Sequence, residues 1–207
     1  MNSTNEPQQY SIMSKAFSIL LVGIGGYGNT YVEAIMERRN DGIGTPIRLA
    51  GVVDPLAEKA TGYQNLKALG VPFFKNLEDF FSREEAGLAV ISSPIHLHAS
   101  QMQTCLEKGA HVLCEKPLCA TVQDARRLIA ARNASGRSVA IGYQLSFAEG
   151  TQKLKKDIRA GIFGAPRRFR SACCWPRSYS YYGRNPWAGR QKNNNGDWVL
   201  DGPVNNA

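Results

Sequence analysis

Apolar and polar positions fall in blocks along this chain, and the blocks predict strands and helices in strict alternation. Phe17–Val22 is a mostly apolar run, as a strand covered on both faces should be. It leads into the turn Gly23-Ile24-Gly25-Gly26-Tyr27-Gly28, after which Val32, Ile35 and Met36 recur at the spacing of one helix face. Arg39–Pro46, with its Asp, Gly and Pro, reads as a loop, and Ile47–Val53 as a second strand. Next come a helix over Ala57–Leu69, a short strand over Val71–Phe74, and a helix over Leu77–Phe81 with Asn76 as its N-cap. Ala86–Ser92 is the fourth strand. Ser93-Pro94 opens a helix that reaches Lys108 and stops at Gly109, with the proline in its first turn. His111–Glu115 is the fifth strand and Val139–Tyr143 the sixth. Between them Thr121 and Asp124 form a capping box for a helix whose Val122, Ala125, Leu128 and Ile129 share a face. Six strands alternating with helices predict an α/β fold, a doubly wound parallel sheet over residues 15–145, behind a disordered tail at 1–14.

The rest of the chain patterns differently. Ser146–Ala160 reads as a basic helix ended by Gly161, and Arg167–Trp175 as a strand-like run leading into a loop rich in Tyr and Arg. A single strand, a loop and a last segment over Asp197–Ala207 cannot close a second core. Residues 146–207 are therefore expected to be the incomplete start of a further, substrate or oligomerisation domain. Charge follows the same division. Residues 1–150 balance fourteen Lys and Arg against fourteen Asp and Glu, whereas 151–207 hold eleven against three and so carry the whole net charge of +8. Aromatics interleave with these basic residues, a pattern also seen on nucleic-acid surfaces. The plainer reading is a face that meets acidic partners in the rest of a second domain, and no nucleic-acid partner is expected. No apolar run is long enough to span a bilayer, so no membrane partner is expected and the protein reads as cytoplasmic. Five cysteines without a C-x-x-C pair, and three histidines without zinc spacing, predict free thiols and no metal.

Chemistry gathers at the ends of the predicted strands. Gly23-Ile24-Gly25-Gly26-Tyr27-Gly28 fits G-x-G-x-x-G between a strand and a helix. Gly23 permits the tight turn, Gly25 lets backbone approach a pyrophosphate, and Gly28 lets the helix pack close to the sheet. The helix N-terminus adds unpaired N–H groups and a positive dipole end. This is a dinucleotide-binding Rossmann pattern. Asp54, ending the second strand, stands where such folds hold the adenosine ribose; an aspartate before Pro55 also serves local turns. Its carboxylate would repel a 2′-phosphate, which favours NAD over NADP. At the end of the fifth strand, Glu115-Lys116-Pro117 offers an amine for acid–base work on a substrate hydroxyl. Glu115 can hold a ribose hydroxyl or orient the lysine. Alone, the tripeptide would be an ordinary strand end with an ion pair.

Together these pieces resemble the Gfo/Idh/MocA family of NAD(P)-dependent oxidoreductases. The resemblance rests on GIGGYG at 23–28, Val53-Asp54, Ser93-Pro94 with His98, Gly109-Ala110-His111-Val112, Glu115-Lys116-Pro117 and Gly161-Ile162-Phe163-Gly164. It implies that Gly23, Gly25, Gly26, Tyr27 and Gly28 cradle the pyrophosphate and that Asp54 takes the ribose. Ser93 and Pro94 would line the nicotinamide side with Glu115 nearby, Lys116 would be the catalytic lysine, and His98 would be structural. Two positions depart from the pattern. Ser146 stands near a frequent family Arg, and Asn205 stands where a second-domain His is usual; Asn cannot exchange a proton near neutral pH.

The resemblance implies hydride transfer between NAD and a sugar-like polyol or related small alcohol. Trp175, Tyr182, Arg184, Trp187 and Asn205 are candidates to face that carbohydrate-like substrate, since aromatic faces suit sugar rings and Arg suits an anion. It also permits NAD-assisted glycoside cleavage, by transient oxidation and elimination. A non-catalytic NAD-binding sensor or scaffold is a third reading. The resemblance further implies that residues 146–207 begin an α+β domain with a large open sheet, and a homo-oligomer through that second-domain sheet is expected.

Overall fold

The computed structural model describes residues 16–40, 45–165 and, from there to 200, all but 166, 169, 171, 173, 175 and 186. The expected tail at 1–14, Trp175 and Asn205 lie outside the described residues.

Six strands, β1 (Phe17–Val22), β2 (Ile47–Val53), β3 (Phe73–Phe74), β4 (Leu88–Ile91), β5 (His111–Cys114) and β6 (Val139–Ile141), form one sheet in the order β3-β2-β1-β4-β5-β6. Every neighbouring pair is parallel. That is the doubly wound order, with its direction of winding reversing between β1 and β4. Both faces are covered over most of β1, β2 and β4, which is why these strands read as apolar runs without alternation, whereas burial alternates along β5 and β6. On one face Leu20, Val22, Ala89, Ile91, Val112 and Cys114 pack with Phe80, Met102, Leu106 and Leu128. On the other, Ile19, Leu21, Leu49, Val52 and Val90 pack with Ile24, Val32 and Leu66.

The helices are α1 (Gly28–Asn40), α2 (Tyr63–Ala68), α3 (Leu77–Phe81), α4 (Ile95–Glu107), α5 (Val122–Ser135), α6 (Glu149–Arg159) and α7 (Tyr179–Tyr182). The expected caps are present. Asn76 accepts from the Asp79 N–H at 2.7 Å, and Thr121 accepts from the Asp124 N–H while its hydroxyl donates to that carboxylate.

Within residues 15–145, three expectations need correction. The helix expected over Ala57–Leu69 is broken into a short 3-10 turn at Ala57–Lys59 and α2, with Ala60 extended between them. Gly62, just before α2, packs so closely on α1 that a Cβ would stand 3.1 Å from Asn29 and Val32. Pro94 is not inside α4 but caps it with extended ψ. On α5, Leu128 is buried as expected, but Val122 and Ile129 are 66% and 52% exposed. That helix is flanked by α4 on one side, and its other side is left to solvent.

Beyond α6, whose Leu154 and Ile158 are exposed, the described residues of the expected strand at 167–175 form none. Among the described residues, an isolated antiparallel bridge joins Lys192 and Trp198. No helix among the described residues is long and apolar enough to cross a membrane.

Candidate functional site

Strand register builds the site. Val22 pairs with Val53 and Ile91, Ile91 with Cys114, and Cys114 with Ile141, so five strands end in one row. Backbone bonds lace the next row across the edge. Gly23 N–H donates to Val53, Ser92 to Val22, Glu115 to Ile91 and Gly142 to Cys114, at 2.8–2.9 Å. Gly23, Asp54, Ser92, Glu115 and Gly142 thus stand side by side at the carboxyl ends of the strands. This is the edge where open α/β sheets bind ligands, and it includes the β1/β4 switch point.

At the glycine turn, Gly23 has φ +80° and Gly28 begins α1 against the strand end. A Cβ on Gly28 would lie 2.4 Å from the Gly23 carbonyl oxygen, whereas one on Gly25 or Gly26 would meet nothing within 4 Å. Among the described residues, the N–H groups of Gly25, Gly26 and Tyr27 donate to no protein acceptor. Open space over unpaired N–H groups at a helix start fits a pyrophosphate. Asp54 is held in place beside it. One carboxylate oxygen accepts from Ile24 N–H at 3.0 Å and the other from Leu56 N–H at 2.8 Å. The two readings of this aspartate therefore coexist: it braces the local turn, and it is fixed on the edge that a ribose would approach.

Ser92, which sequence reasoning passed over, occupies the strand-end row next to Ser93. Its hydroxyl donates to the Gly23 carbonyl at 2.6 Å and ties the β4 end to the glycine turn. The Ser93 hydroxyl donates instead to Gln101. His98 is buried, with Nε2 2.9 Å from the Ser93 carbonyl and Nδ1 2.9 Å from that of Pro117. It thereby clamps the turn after β4 to the turn after β5, the structural part the resemblance implied. A neutral ring donates to one of these carbonyls, and a second proton would serve both. Burial opposes that charge and depresses the pKa below its ordinary 6.5, against the pull of the two carbonyls and Glu115.

A depressed value means that the unfolded chain binds the proton more readily. The contribution of His98 to stability is then complete above its unfolded pKa of 6.5 and is lost as pH falls through the lower folded value. The thermal midpoint is expected to drop as pH falls below about 6.5 more steeply in the wild type than in His98→Gln. Parallel pH profiles of the two midpoints would contradict this.

Glu115 is only 9% exposed. Its Oε1 accepts from the Tyr31 hydroxyl at 2.6 Å and its Oε2 from the Lys116 N–H at 3.1 Å. Burial and Glu115 together raise the Tyr31 pKa well above the ordinary phenol range. Tyr31 was not expected, although its place one turn past Gly28, on the face of Val32 and Ile35, marks it as inward-facing. Lys116 is half-buried and joined to Pro117 by a cis peptide. Tyr27 is 53% exposed and meets Tyr31 edge-on. The free thiols divide by depth. Cys105 and Cys114 are fully buried, which pushes both upward in pKa, while Cys174 is exposed.

The substrate candidates make local contacts. Arg184 stacks 4.1 Å from the Tyr181 ring and 5.5 Å from that of Trp187, and Tyr182 lies edge-on to Tyr181. None of these described contacts reaches the strand-end row.

Residues 17–143 match the model of a family described as an oxidoreductase family with an NAD-binding Rossmann fold. The chain is 28% identical over 148 residues to the rhizopine catabolism protein MocA of Rhizobium meliloti, covering 72% of this chain and 44% of that protein. It is 29% identical over 166 residues to an inositol 2-dehydrogenase of Rubrobacter xylanophilus, covering 80% and 45%. A solved structure of the WlbA dehydrogenase from Bordetella pertussis, in complex with NADH and UDP-GlcNAcA, superposes with TM-score 0.69. It is 26% identical and covers 84% of this chain and 51% of that one. The chain spans less than half the length of the two relatives matched by sequence. The matched span coincides with the Rossmann sheet and its strand-end row, and the chain belongs to the Gfo/Idh/MocA oxidoreductase family, with NAD as its cofactor.

Proposed function

We propose that the protein transfers a hydride between NAD and a sugar-like polyol or related small alcohol, with Lys116 as the acid–base group. The observation that carries this reading is the strand-end row: one edge presents the open glycine turn, the braced Asp54 and the Glu115–Lys116 pair. NAD supplies the hydride-accepting carbon. The N–H groups of residues 25–27 would hold its pyrophosphate and Asp54 its adenosine ribose, leaving Glu115 to the nicotinamide end. Oxidising an alcohol to a carbonyl also releases the hydroxyl proton, and the Lys116 amine takes it and returns it in the reverse direction. The named substrates of relatives, an inositol and a UDP-sugar acid, support a carbohydrate-like alcohol.

Incubating the full-length protein with NAD+ and a panel of inositols and sugar acids is expected to give reduced-nicotinamide absorbance. NADP+ should serve about tenfold less well or worse, a difference of about 1.4 kcal/mol, because the Asp54 carboxylate repels the 2′-phosphate. Release of a glycosidic leaving group without net NADH would replace this reading with elimination. Binding of NAD+ with no turnover on the whole panel would leave a sensor.

A further inference from the structure

We propose that Tyr31 is a positioning residue for the nicotinamide half of the cofactor, acting through Glu115. The inference rests on the NAD-dependent reading above. Three elements converge on one carboxylate. From α1 the Tyr31 hydroxyl donates to Oε1 at 2.6 Å, and from the β5 end the Lys116 N–H donates to Oε2 at 3.1 Å. From the β6 end Gly142 leaves the space for the pair: a Cβ there would come 2.7 Å from Glu115 Oε1 and 3.3 Å from the Tyr31 oxygen.

A carboxylate buried this far holds one orientation only while its oxygens have donors. The Lys116 N–H is part of the same turn and moves with it. Tyr31 is the donor that ties the carboxylate to a different element, the helix whose N-terminus faces the pyrophosphate. The bond therefore fixes the distance between the phosphate end of the cleft and the carboxylate beside Lys116. A ribose hydroxyl at the nicotinamide end then meets an acceptor already in place, and binding does not bear the cost of ordering it. The adenosine half depends on Asp54 and the glycine turn, which make no described hydrogen bond to the Tyr31 hydroxyl; the edge-on contact of Tyr27 is with the Tyr31 ring, which phenylalanine keeps.

The test separates the two halves. NADH and ADP are titrated into the full-length wild type, Tyr31→Phe, Glu115→Gln and the double variant. Phenylalanine keeps the ring and removes only the hydroxyl. Tyr31→Phe is expected to weaken NADH by about tenfold, the scale of one hydrogen bond to a charged group, and to leave ADP within about twofold. The double variant should bind NADH no more weakly than Glu115→Gln, because a residue acting through Glu115 has nothing left to act on. Equal weakening of NADH and ADP would reduce Tyr31 to a structural part of α1 and overturn the proposal. Unchanged NADH binding, or additive losses in the double variant, would overturn it as well. A wild type that binds ADP but not NADH would overturn the NAD-dependent reading together with this one.

Discussion

Replacing Lys116 with methionine is expected to lower kcat by about 10²–10⁴-fold, the usual worth of a positioned acid–base group, with NADH affinity changed only a fewfold. Methionine keeps the length and much of the apolar volume of the stem, so the loss isolates the amine. Its surroundings explain why the backbone should survive the change. The Lys116 N–H is held by Glu115, and the following Pro117 carbonyl is held by His98, neither of which needs the ammonium. Steady-state turnover on the best substrate of the panel, together with NADH titration and a thermal melt, makes the measurement. A variant that retains more than about a tenth of the wild-type kcat would remove Lys116 from the chemistry.

Replacing Gly28 with alanine is expected to do more damage to the fold and to abolish NADH binding. The new Cβ would stand 2.4 Å from the Gly23 carbonyl oxygen, 2.7 Å from the Ser92 hydroxyl and 3.0 Å from the Gly23 carbonyl carbon. Two of these are backbone atoms of the turn itself, so no side-chain rotation relieves the clash. The Gly23 carbonyl must move, and with it goes the 2.6 Å bond from Ser92. Overpacking at about 1–3 kcal/mol and one lost hydrogen bond at about 1 kcal/mol predict a destabilisation of about 2–4 kcal/mol. Because α1 would also shift away from the strand ends, NADH and ADP should both lose at least about a hundredfold in affinity, equivalent to about 2.7 kcal/mol. Gly25→Ala is the counterpart. Its Cβ meets nothing within 4 Å, so stability should hold while the methyl intrudes on the space over the N–H groups. A Gly28→Ala protein that melts like the wild type and binds NADH within about threefold would refute the close-packing account.

The strands were legible in the sequence because burial on both faces leaves continuous apolar runs, and Phe17–Val22 and Ile47–Val53 appear in the structure with the bounds expected. Caps at Asn76 and Thr121 were legible for a related reason: each is settled within four residues. The break at Ala60 was not, since alanine is itself a strong helix former. Exposure of Val122 and Ile129 was hidden as well, because apolar periodicity says which positions share a face and not whether a neighbour covers it. In the candidate site, the glycine turn, Asp54 and Glu115-Lys116-Pro117 are local patterns and could be picked out one by one. Tyr31 and Glu115 are 84 residues apart, and nothing near either residue announces the other. The same holds for His98, whose two carbonyl partners come from separate turns.

Five residues from five strand ends share one row, so the chemistry is indexed to the sheet and not to intervals along the chain. Connections along the opposite edge can lengthen or shorten without moving a mark on this scale. One residue gained or lost inside a strand would advance its member by about 3.3 Å and turn the side chain to the other face. Evolution is thereby free to rewrite the loops of such a protein while the strands keep its measure.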